Sequence, residues 1–375
     1  MKICIIGGRL QGTEACYLAR SCGAESVLID IDPEVPAGGL ADFFVPGDLV
    51  KEEPQVVEAF RSCDLILPAN ENDELLAKTA ELAGRFGIPL AFDPEAYEIT
   101  KSKIKSDKLF KENDIPCPRY YPEGKAPYVV KPSDGSGSTG VMKLETAEAA
   151  GEYWKAKGEK DIIQEYLTGP SYSIEVIGIP GNYRTYTVTQ VHVDKGYDCH
   201  MITAPVKLPV EKLRRFQEIG VKLAELVDLK GIMDVEVIDD GEDLKVLEID
   251  ARLPSQTPIA VLKSSGMNQL KELMDITLYG EFRDPNTAGK GQERIFCAYE
   301  NYKRENGVIT SEGEHIMRNA GPLSYRKDFL GSMEAMTDKD EDQDFKGIFI
   351  NWGNSSDEVL KWRNTLLHNL KDSTN

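Results

Sequence analysis

The sequence predicts an α/β protein in three parts, with a mixed α+β arrangement in the middle part. The chain has 375 residues, more than a single hydrophobic core usually organises. It opens with a strand–helix–strand pattern, and two strand pairs joined by polar turns follow further on. We expect an N-terminal domain at residues 1–93, a central domain at 94–290 with a small subdomain at 103–165 and a larger one at 166–290, and a C-terminal domain at 291–375.

Composition excludes several classes of protein. A net charge of −19 and a pI of about 4.8 argue against a nucleic-acid surface, whose affinity comes largely from basic residues. Seven cysteines without a C-x-x-C pair favour free thiols in a reducing cytoplasm. There is no long apolar run and no leader-like start, so we expect a cytoplasmic protein with no membrane partner. The oligomeric state stays open, with a homodimer among the options.

The N-terminal domain begins with a Rossmann-like pattern. Its predicted strands cover residues 3–6, 26–29, 64–67 and 90–92, and its helices cover 13–21 and 74–86. The first turn contains Gly7, Gly8 and Gly12, but Arg9 stands where the dinucleotide motif needs its second glycine. The shape of the turn is therefore expected without a nicotinamide cofactor, which disfavours a dehydrogenase.

Two positions of this domain are candidate substrate contacts. Leu10 and Gln11 lie at the N-terminus of the first helix, which can hold a carboxylate. Glu71 and Asn72 follow the third strand, and ligands of parallel sheets bind at the carboxyl ends of strands, so these side chains could hold an ammonium group. The alternative is that residues 70–73 only cap the next helix.

The central domain contains a candidate phosphate site. Tyr128–Val130 predicts a strand that ends in Lys131, and residues 141–144 predict the returning strand. The loop between them is rich in glycine and serine and includes Ser136, Gly137 and Ser138. Its backbone N–H groups, together with the Lys131 ammonium, suit a polyphosphate. The alternative is a flexible hairpin loop without a ligand.

An acidic strand pair is the second informative stretch. Residues 231–238 and 244–252 predict a hairpin that turns at residues 239–243. Alternation directs Val235, Val237, Leu247 and Ile249 to one face and Asp234, Glu236, Glu248 and Asp250 to the other. Clustered carboxylates repel unless a cation joins them, which predicts Mg²⁺, although a solvated acidic face is equally compatible with the pattern. Arg252, a candidate phosphoryl contact, favours the metal.

The order of these motifs resembles the ATP-grasp carboxylate–amine ligases over essentially the whole chain. The further matching motifs are Lys103 at the start of a helix that ends at Ile115-Pro116-Cys117-Pro118, the stretch Gln164–Leu167, and Glu236 with Glu248-x-Asp250-x-Arg252. The resemblance implies an ATP-grasp fold with a Rossmann-like N-terminal domain and a C-terminal closing domain. The C-terminal domain, with strands expected at 295–299 and 348–352 and a helix at 356–370, shows no obvious chemistry of its own.

The resemblance also implies roles for individual residues. The implied ATP contacts are Lys103 and Lys131 for the phosphates, Ser136, Gly137 and Ser138 as a covering loop, Gln164 to Leu167 for adenine, and Glu165 or Glu175 for the ribose. The implied Mg²⁺ ligands are Glu236, Glu248 and Asp250, although the family often has asparagine at the position of Asp250. Arg252 and Lys131 would neutralise charge on the transferred phosphoryl group.

The implied reaction joins two amino acids, L-lysine and a D-ornithine derivative, through an acyl phosphate. Lysine is expected against Leu10, Gln11, Glu71 and Asn72. The ornithine-like partner is expected near Ser171, Tyr172, Ser255, Gln256 and Thr257, with Asp234 as a candidate proton acceptor. Alternatives with the same fold are a different amino-acid ligase and a bicarbonate-using carboxylating enzyme, and a third alternative is a nucleotide sensor without turnover.

Overall fold

In a computed structural model, which describes residues 1–133, 140–283 and 295–372, the N-terminal part forms a four-stranded parallel sheet. Its strands are β1 (Lys2–Ile6), β2 (Glu25–Asp30), β3 (Phe43–Pro46) and β4 (Leu65–Pro68), in the order β3–β2–β1–β4. Its helices are α1 (Leu10–Cys22), α2 (Pro54–Arg61) and α3 (Asp73–Phe86). Ile3 and Ile5 pack in the same core as α1, whereas Cys4 and Ile6 pack in a core with α2 and α3. Because both faces of this sheet are buried, strand β1 has apolar residues at every position from Ile3 to Ile6.

The fourth predicted strand of this part, at residues 90–92, is wrong. Leu90 makes a single isolated bridge to Ile66, and no strand forms around it. The fourth strand of the sheet is instead β3, which precedes β4 in the chain. Its four residues are too few to show an alternation in the sequence.

A small three-stranded antiparallel sheet follows. The strands are β5 (Tyr128–Pro132), β6 (Met142–Leu144) and β7 (Asp161–Glu165), in the order β6–β5–β7. The helices around it are α4 (Pro94–Thr100), α5 (Lys103–Glu112) and α6 (Ala147–Lys157). The Ser102 side chain accepts from the backbone N–H of Lys105, so Ser102 caps α5 as predicted.

The largest sheet is antiparallel and contains 11 strands of the described chain. They are β8 (Ser171–Ile179), β9 (Asn182–Thr185), β10 (Thr189–Val193), β11 (Cys199–Ala204), β12 (Gly231–Asp239), β13 (Leu244–Asp250), β14 (Phe296–Glu305), β15 (Val308–Ser311), β16 (Ser324–Lys327), β17 (Glu334–Thr337) and β18 (Lys346–Gly353). The order is β13–β12–β8–β10–β11–β14–β18–β17–β16, with β9 beside β8 and β15 beside β14. The C-terminal strands therefore continue the central sheet, and the predicted domain boundaries stay predictions.

Helices and short 3₁₀ segments complete the described chain. The helices are α7 (Val210–Leu226), α8 (Thr257–Ser265), α9 (Gln269–Tyr279) and α10 (Ser356–Asp372). The 3₁₀ segments are Pro36–Gly39, Gly158–Lys160, Glu314–Asn319 and Phe329–Gly331. No helix among the described residues is both long and apolar enough to cross a lipid bilayer.

The turn between β1 and α1 depends on close backbone packing at Gly12. A Cβ atom added at Gly12 would lie 2.1 Å from the carbonyl oxygen of Gly7, a contact that backbone atoms cannot relieve easily. Gly84 in α3 is a helical glycine without this constraint, because a Cβ there meets nothing within 4 Å.

We predict that Gly12→Ala lowers the free energy of unfolding by about 1–3 kcal/mol through overpacking. The control Gly84→Ala should be neutral or should stabilise the helix by up to about 1 kcal/mol. Urea unfolding followed by circular dichroism measures both variants. Equal effects of the two substitutions would contradict the close packing of the turn.

Candidate active site

The hairpin β12–β13 brings the four predicted carboxylates onto one face. Asp234 pairs with Asp250 across the strands, and Glu236 pairs with Glu248. Antiparallel partners lie opposite one another, so each pair places two acids side by side. All four side chains line one small cavity. The predicted convergence of carboxylates is therefore present.

One residue of the opposite face was predicted wrongly. A bulge follows the Glu236–Glu248 pair, so that Val237 pairs with Val246 and Leu247 has no partner. Val246 is fully buried in the core, whereas Leu247 lines a large cavity on the carboxylate side. An extra residue in one strand shifts the alternation, and the sequence pattern does not show it.

Basic side chains from three other segments meet these carboxylates. The Lys103 ammonium, at the start of α5, lies 2.9 Å from Glu248 Oε1. Arg252 Nη2 lies 2.8 Å from Asp250 Oδ2 and 2.9 Å from Glu71 Oε1. Lys131, on β5, donates to the carbonyl of Leu247 at 3.4 Å. Burial lowers the pKa of Lys131, and the nearby Glu248 and Asp107 carboxylates oppose that shift.

A cavity of about 570 Å³ lies between the small sheet and the hairpin. Its charged wall contains Lys103, Lys131, Glu236 and Glu248. Its apolar wall is formed by side chains that include Val129, Val141, Leu167, Val191, Ile238 and Leu247. A cavity lined by apolar side chains and by charged groups of both signs suits a flat apolar ring joined to an anionic group that binds a cation.

A second cavity of about 150 Å³ adjoins the first. Glu236 and Glu248 line both cavities, so the two spaces share the hairpin as a wall. The remaining polar lining of the small cavity includes Tyr197, Asp198, Asp234, Asp250, Arg252, Ser255, Gln256, Thr257 and Glu314. We call these two spaces the large cavity and the small cavity.

The carboxylates fit a divalent cation, although they are not gathered around one point. Among the described residues, no group of three or more Asp, Glu, His or Cys side chains is arranged closely enough to hold a metal ion. Burial, together with Glu248, raises the pKa of Glu236 to about 7, and burial raises the pKa of Asp250 to about 7 against the opposing charge of Arg252. Asp250 Oδ1 is buried without a hydrogen-bond partner in the described chain. Hard oxygen donors with excess negative charge suit Mg²⁺.

Known proteins share both the sequence and the fold. The ATP-grasp domain model matches residues 100–256. Proteins named 3-methyl-D-ornithine–L-lysine ligase from Methanosarcina acetivorans and Methanosarcina mazei are each 36% identical to this chain. The first match covers 99% of this chain and 98% of the relative, and the second covers 98% and 95%.

The chain belongs to the ATP-grasp ligase family. It is an ATP-dependent carboxylate–amine ligase, and the predicted fold class is confirmed. Among solved structures, the biotin carboxylase domain of the 2-oxoglutarate carboxylase from Hydrogenobacter thermophilus, in complex with MgADP, ADP and bicarbonate, superposes with a TM-score of 0.73. It is 16% identical, and the match covers 98% of this chain and 89% of that chain, so this likeness concerns the fold alone.

Most residues predicted to contact ATP line the large cavity of this ATP-grasp ligase. They are Lys103, Lys131, Gln164, Glu165 and Leu167. Ser136, Gly137 and Ser138 lie outside the described residues. Glu175 is the exception, because it lies beside Asp234 on the sheet but is fully buried and accepts a 2.7 Å hydrogen bond from Gln269 of α9. The expected contact of Glu175 with a ribose is therefore wrong.

The predicted substrate residues of the N-terminal part divide into two groups. Gln11 donates to Glu71 Oε1 at 3.0 Å, and Glu71 in turn meets Arg252, so this pair does reach the edge of the carboxylate wall. Leu10 instead packs against the hydrophobic core that contains Ile3, Ile5 and residues of α1. Asn72 caps α3, since its side chain accepts from the backbone N–H of Leu75. The capping alternative is correct for Asn72.

The predicted substrate residues of the central part also divide. Asp234, Ser255, Gln256 and Thr257 line the small cavity, as expected for a substrate site. Ser171 lines the large cavity. Tyr172 belongs to the hydrophobic core and lines neither cavity, because successive residues of β8 face opposite sides of the sheet.

Two important residues were missed by the sequence analysis. Glu314 lines the small cavity, so the C-terminal part, whose sequence shows no obvious chemistry, contributes a carboxylate to it. Glu14 of α1 is 1% exposed, and its oxygens accept from the backbone N–H groups of Gln256 at 3.1 Å and Ile259 at 2.6 Å. Burial raises the pKa of Glu14 to about 8. Neither residue has a sequence signal, since each looks like an ordinary surface acid.

We predict that Arg252→Met, measured without divalent metal, lowers the free energy of unfolding by about 3–5 kcal/mol at pH 8, because a buried ion pair loses one partner. The folded-state pKa of Asp250 already lies above its unfolded value. Stability from such a carboxyl is present below the unfolded pKa and is lost as pH rises through the folded pKa. Arg252 stabilises only the ionised form of Asp250, which is populated at pH 8 and not at pH 4. The stability deficit of Arg252→Met should therefore shrink from pH 8 to pH 4.

Arg85→Met is the matched control for this prediction. Arg85 pairs with Glu52 and Glu81 on the exposed surface of α3, where its loss should cost less than about 1 kcal/mol at any pH. Urea unfolding at several pH values compares the two variants. A pH-independent deficit for Arg252→Met would show that the carboxylates do not depend on this guanidinium.

Proposed function

We propose that this ATP-grasp ligase joins the carboxylate of (3R)-3-methyl-D-ornithine to the ε-amine of L-lysine, a step of pyrrolysine biosynthesis. The names of the relatives that align with the full chain support these substrates. The observation that carries the proposal is the shared wall of Glu236 and Glu248 between the two cavities. ATP in the large cavity and a small acid in the other would meet at this wall.

The large cavity suits ATP. Residues 164–167 and the neighbouring apolar side chains would contact the adenine, and Glu165 would contact the ribose. Lys103 and Lys131 would contact the phosphates, since both ammonium groups lie on the charged wall. The covering role of Ser136, Gly137 and Ser138 stays a prediction.

Glu236, Glu248 and Asp250 would hold Mg²⁺. The ion, when bound, would neutralise charge on the β- and γ-phosphate oxygens. Lys131 and Arg252 lie on either side of this carboxylate set, so they would stabilise charge on the transferred phosphoryl group and on the acid that attacks it.

The amide would form in two steps. The carboxylate of the first amino acid attacks the γ-phosphate of ATP, which gives an acyl phosphate and ADP. The lysine ε-amine then attacks the acyl carbon, and phosphate leaves. An unperturbed lysine ammonium has a pKa near ~10.4, so it must release one proton to solvent before it attacks, and the departing phosphate can accept the second proton that the nitrogen loses as the amide forms. Closed cavity walls would keep water from the acyl phosphate.

We predict that phosphate release from ATP and Mg²⁺ requires both L-lysine and D-ornithine or its 3-methyl form. The product should have the summed mass of the two amino acids less one water. A coupled phosphate assay and mass spectrometry measure these outcomes. Phosphate release that depends on bicarbonate instead of the amino acids would favour a carboxylating enzyme and reject the proposed reaction.

We predict that Glu248→Gln raises the Mg²⁺ concentration needed for half-maximal rate and lowers kcat by about 100-fold or more, because the wall loses a metal-binding charge. Glu242→Gln, in the exposed turn of the same hairpin, is the matched control and should behave like the wild type. Wild-type turnover in the Glu248→Gln variant would remove the metal assignment.

A further inference from the structure

The small cavity contains more negative charge than the proposed metal would use. Its lining includes three acids besides Glu236, Glu248 and Asp250, namely Asp198, Asp234 and Glu314. Asp198 is already satisfied, because its Oδ2 lies 2.5 Å from His315 Nδ1 and also accepts the backbone N–H of His315 at 3.0 Å. Asp234 and Glu314 therefore remain as acids whose role the proposed metal and phosphate contacts do not explain.

Glu314 is held in place by hydrogen bonds and makes no ion pair within the described chain. Its Oε2 atom accepts from Gln256 Nε2 at 2.7 Å and from Ser255 Oγ at 3.3 Å. Both donors are neutral, and no lysine or arginine of the described chain lies within ion-pair distance of Glu314. A carboxylate that lines a cavity, with its direction fixed by neutral donors, can bind a cationic group of a ligand.

The loop that holds Glu314 is itself fixed in an unusual conformation. Gln256 has φ +71° and ψ −46°, and the Thr257 N–H donates to the Ser255 carbonyl at 2.8 Å, which defines a γ-turn of the rare positive-φ type. The Glu14 carboxylate holds the backbone of this turn from α1. Such strain persists where the surrounding structure enforces it, often at ligand sites.

An independent observation indicates that the small cavity takes a hydrogen-bonding ligand. Asp234 is 7% exposed and lines this cavity, yet its Oδ1 atom has no hydrogen-bond partner in the described chain. Buried polar atoms in native proteins are nearly always paired. A ligand with N–H groups would supply the missing partner for Asp234 as well as a charge partner for Glu314.

We propose that Glu314 binds an ammonium group of the amino acid whose carboxylate is activated, and so makes the small cavity select a cationic amino acid. This inference rests on the proposed function. The activated carboxylate must reach the γ-phosphate at Glu236 and Glu248, so the molecule in the small cavity is the carboxylate donor. Arg252 is placed for its carboxylate, and Glu314 for its ammonium group.

Steady-state kinetics of Glu314→Gln with ATP, L-lysine and D-ornithine test this subsite. Glutamine keeps an acceptor for Gln256 and Ser255 but removes the charge. We expect the KM for D-ornithine to rise about tenfold or more, with the KM values for ATP and L-lysine changed less than about threefold. A merely structural role would change all three KM values together or lower the melting temperature without a KM effect.

Glu312→Gln is the matched control, because Glu312 lies two residues away, pairs with Lys303 at 3.4 Å and does not line the small cavity. It should keep wild-type kinetics. Glu314→Asp retains the charge and should recover part of the affinity for D-ornithine, which keeps the test valid if Glu314→Gln folds poorly. A wild-type KM for D-ornithine in Glu314→Gln would overturn the subsite. Failure of the wild type to form the amide would instead reject the proposed function. Calorimetric titration of D-ornithine into the wild type and into Glu314→Gln would then test the subsite by itself. Equal affinity of the two proteins for D-ornithine would overturn the subsite.

Discussion

The repulsion among carboxylates on one face of the β12–β13 hairpin is the constraint on which the site depends. Pairing of Asp234 with Asp250 and of Glu236 with Glu248 places like charges side by side. Such an arrangement persists only with cations nearby. Lysines from α5 and β5 and the arginine after β13 supply them. One electrostatic requirement thus joins the small sheet, the hairpin and, through Glu71, the N-terminal part.

The continuity of the large sheet has a second consequence for the site. Strand β14 pairs with β11, so the C-terminal strands extend the sheet that carries the hairpin. The 3₁₀ segment that begins at Glu314 follows β15, which pairs with β14, and so lies at the small cavity. On the other side, α1 brings Glu14 to the γ-turn at Gln256. Glu314 and, through the turn at Gln256, Glu14 therefore shape a cavity whose carboxylate wall is formed by the central strands β12 and β13.

Sequence periodicity was sufficient where the chemistry depends on local structure. The alternation of β12 and β13 predicted the carboxylate face, and a strand end predicted Lys131, whereas Lys103 was predicted only through the resemblance to the ATP-grasp ligases. Sequence periodicity failed where contacts with distant segments determine the surroundings of a side chain. The bulge at Leu247 is a matter of strand register, and Glu175 is covered by a helix that lies 94 residues further along the chain. Glu14 and Glu314 acquire their surroundings only in the folded molecule.

The two cavities differ in how specific their chemistry is. The large cavity combines lysines, carboxylates and apolar side chains, which suit any nucleotide with its metal, and the same fold occurs in a biotin carboxylase domain at 16% identity. The small cavity shares the carboxylates of the sheet, but its strained turn at Gln256 and its 3₁₀ residue Glu314 lie outside the sheet. A conserved fold can keep the first while loops change the second. The choice of amino acid therefore depends on the segments that local sequence patterns describe least well.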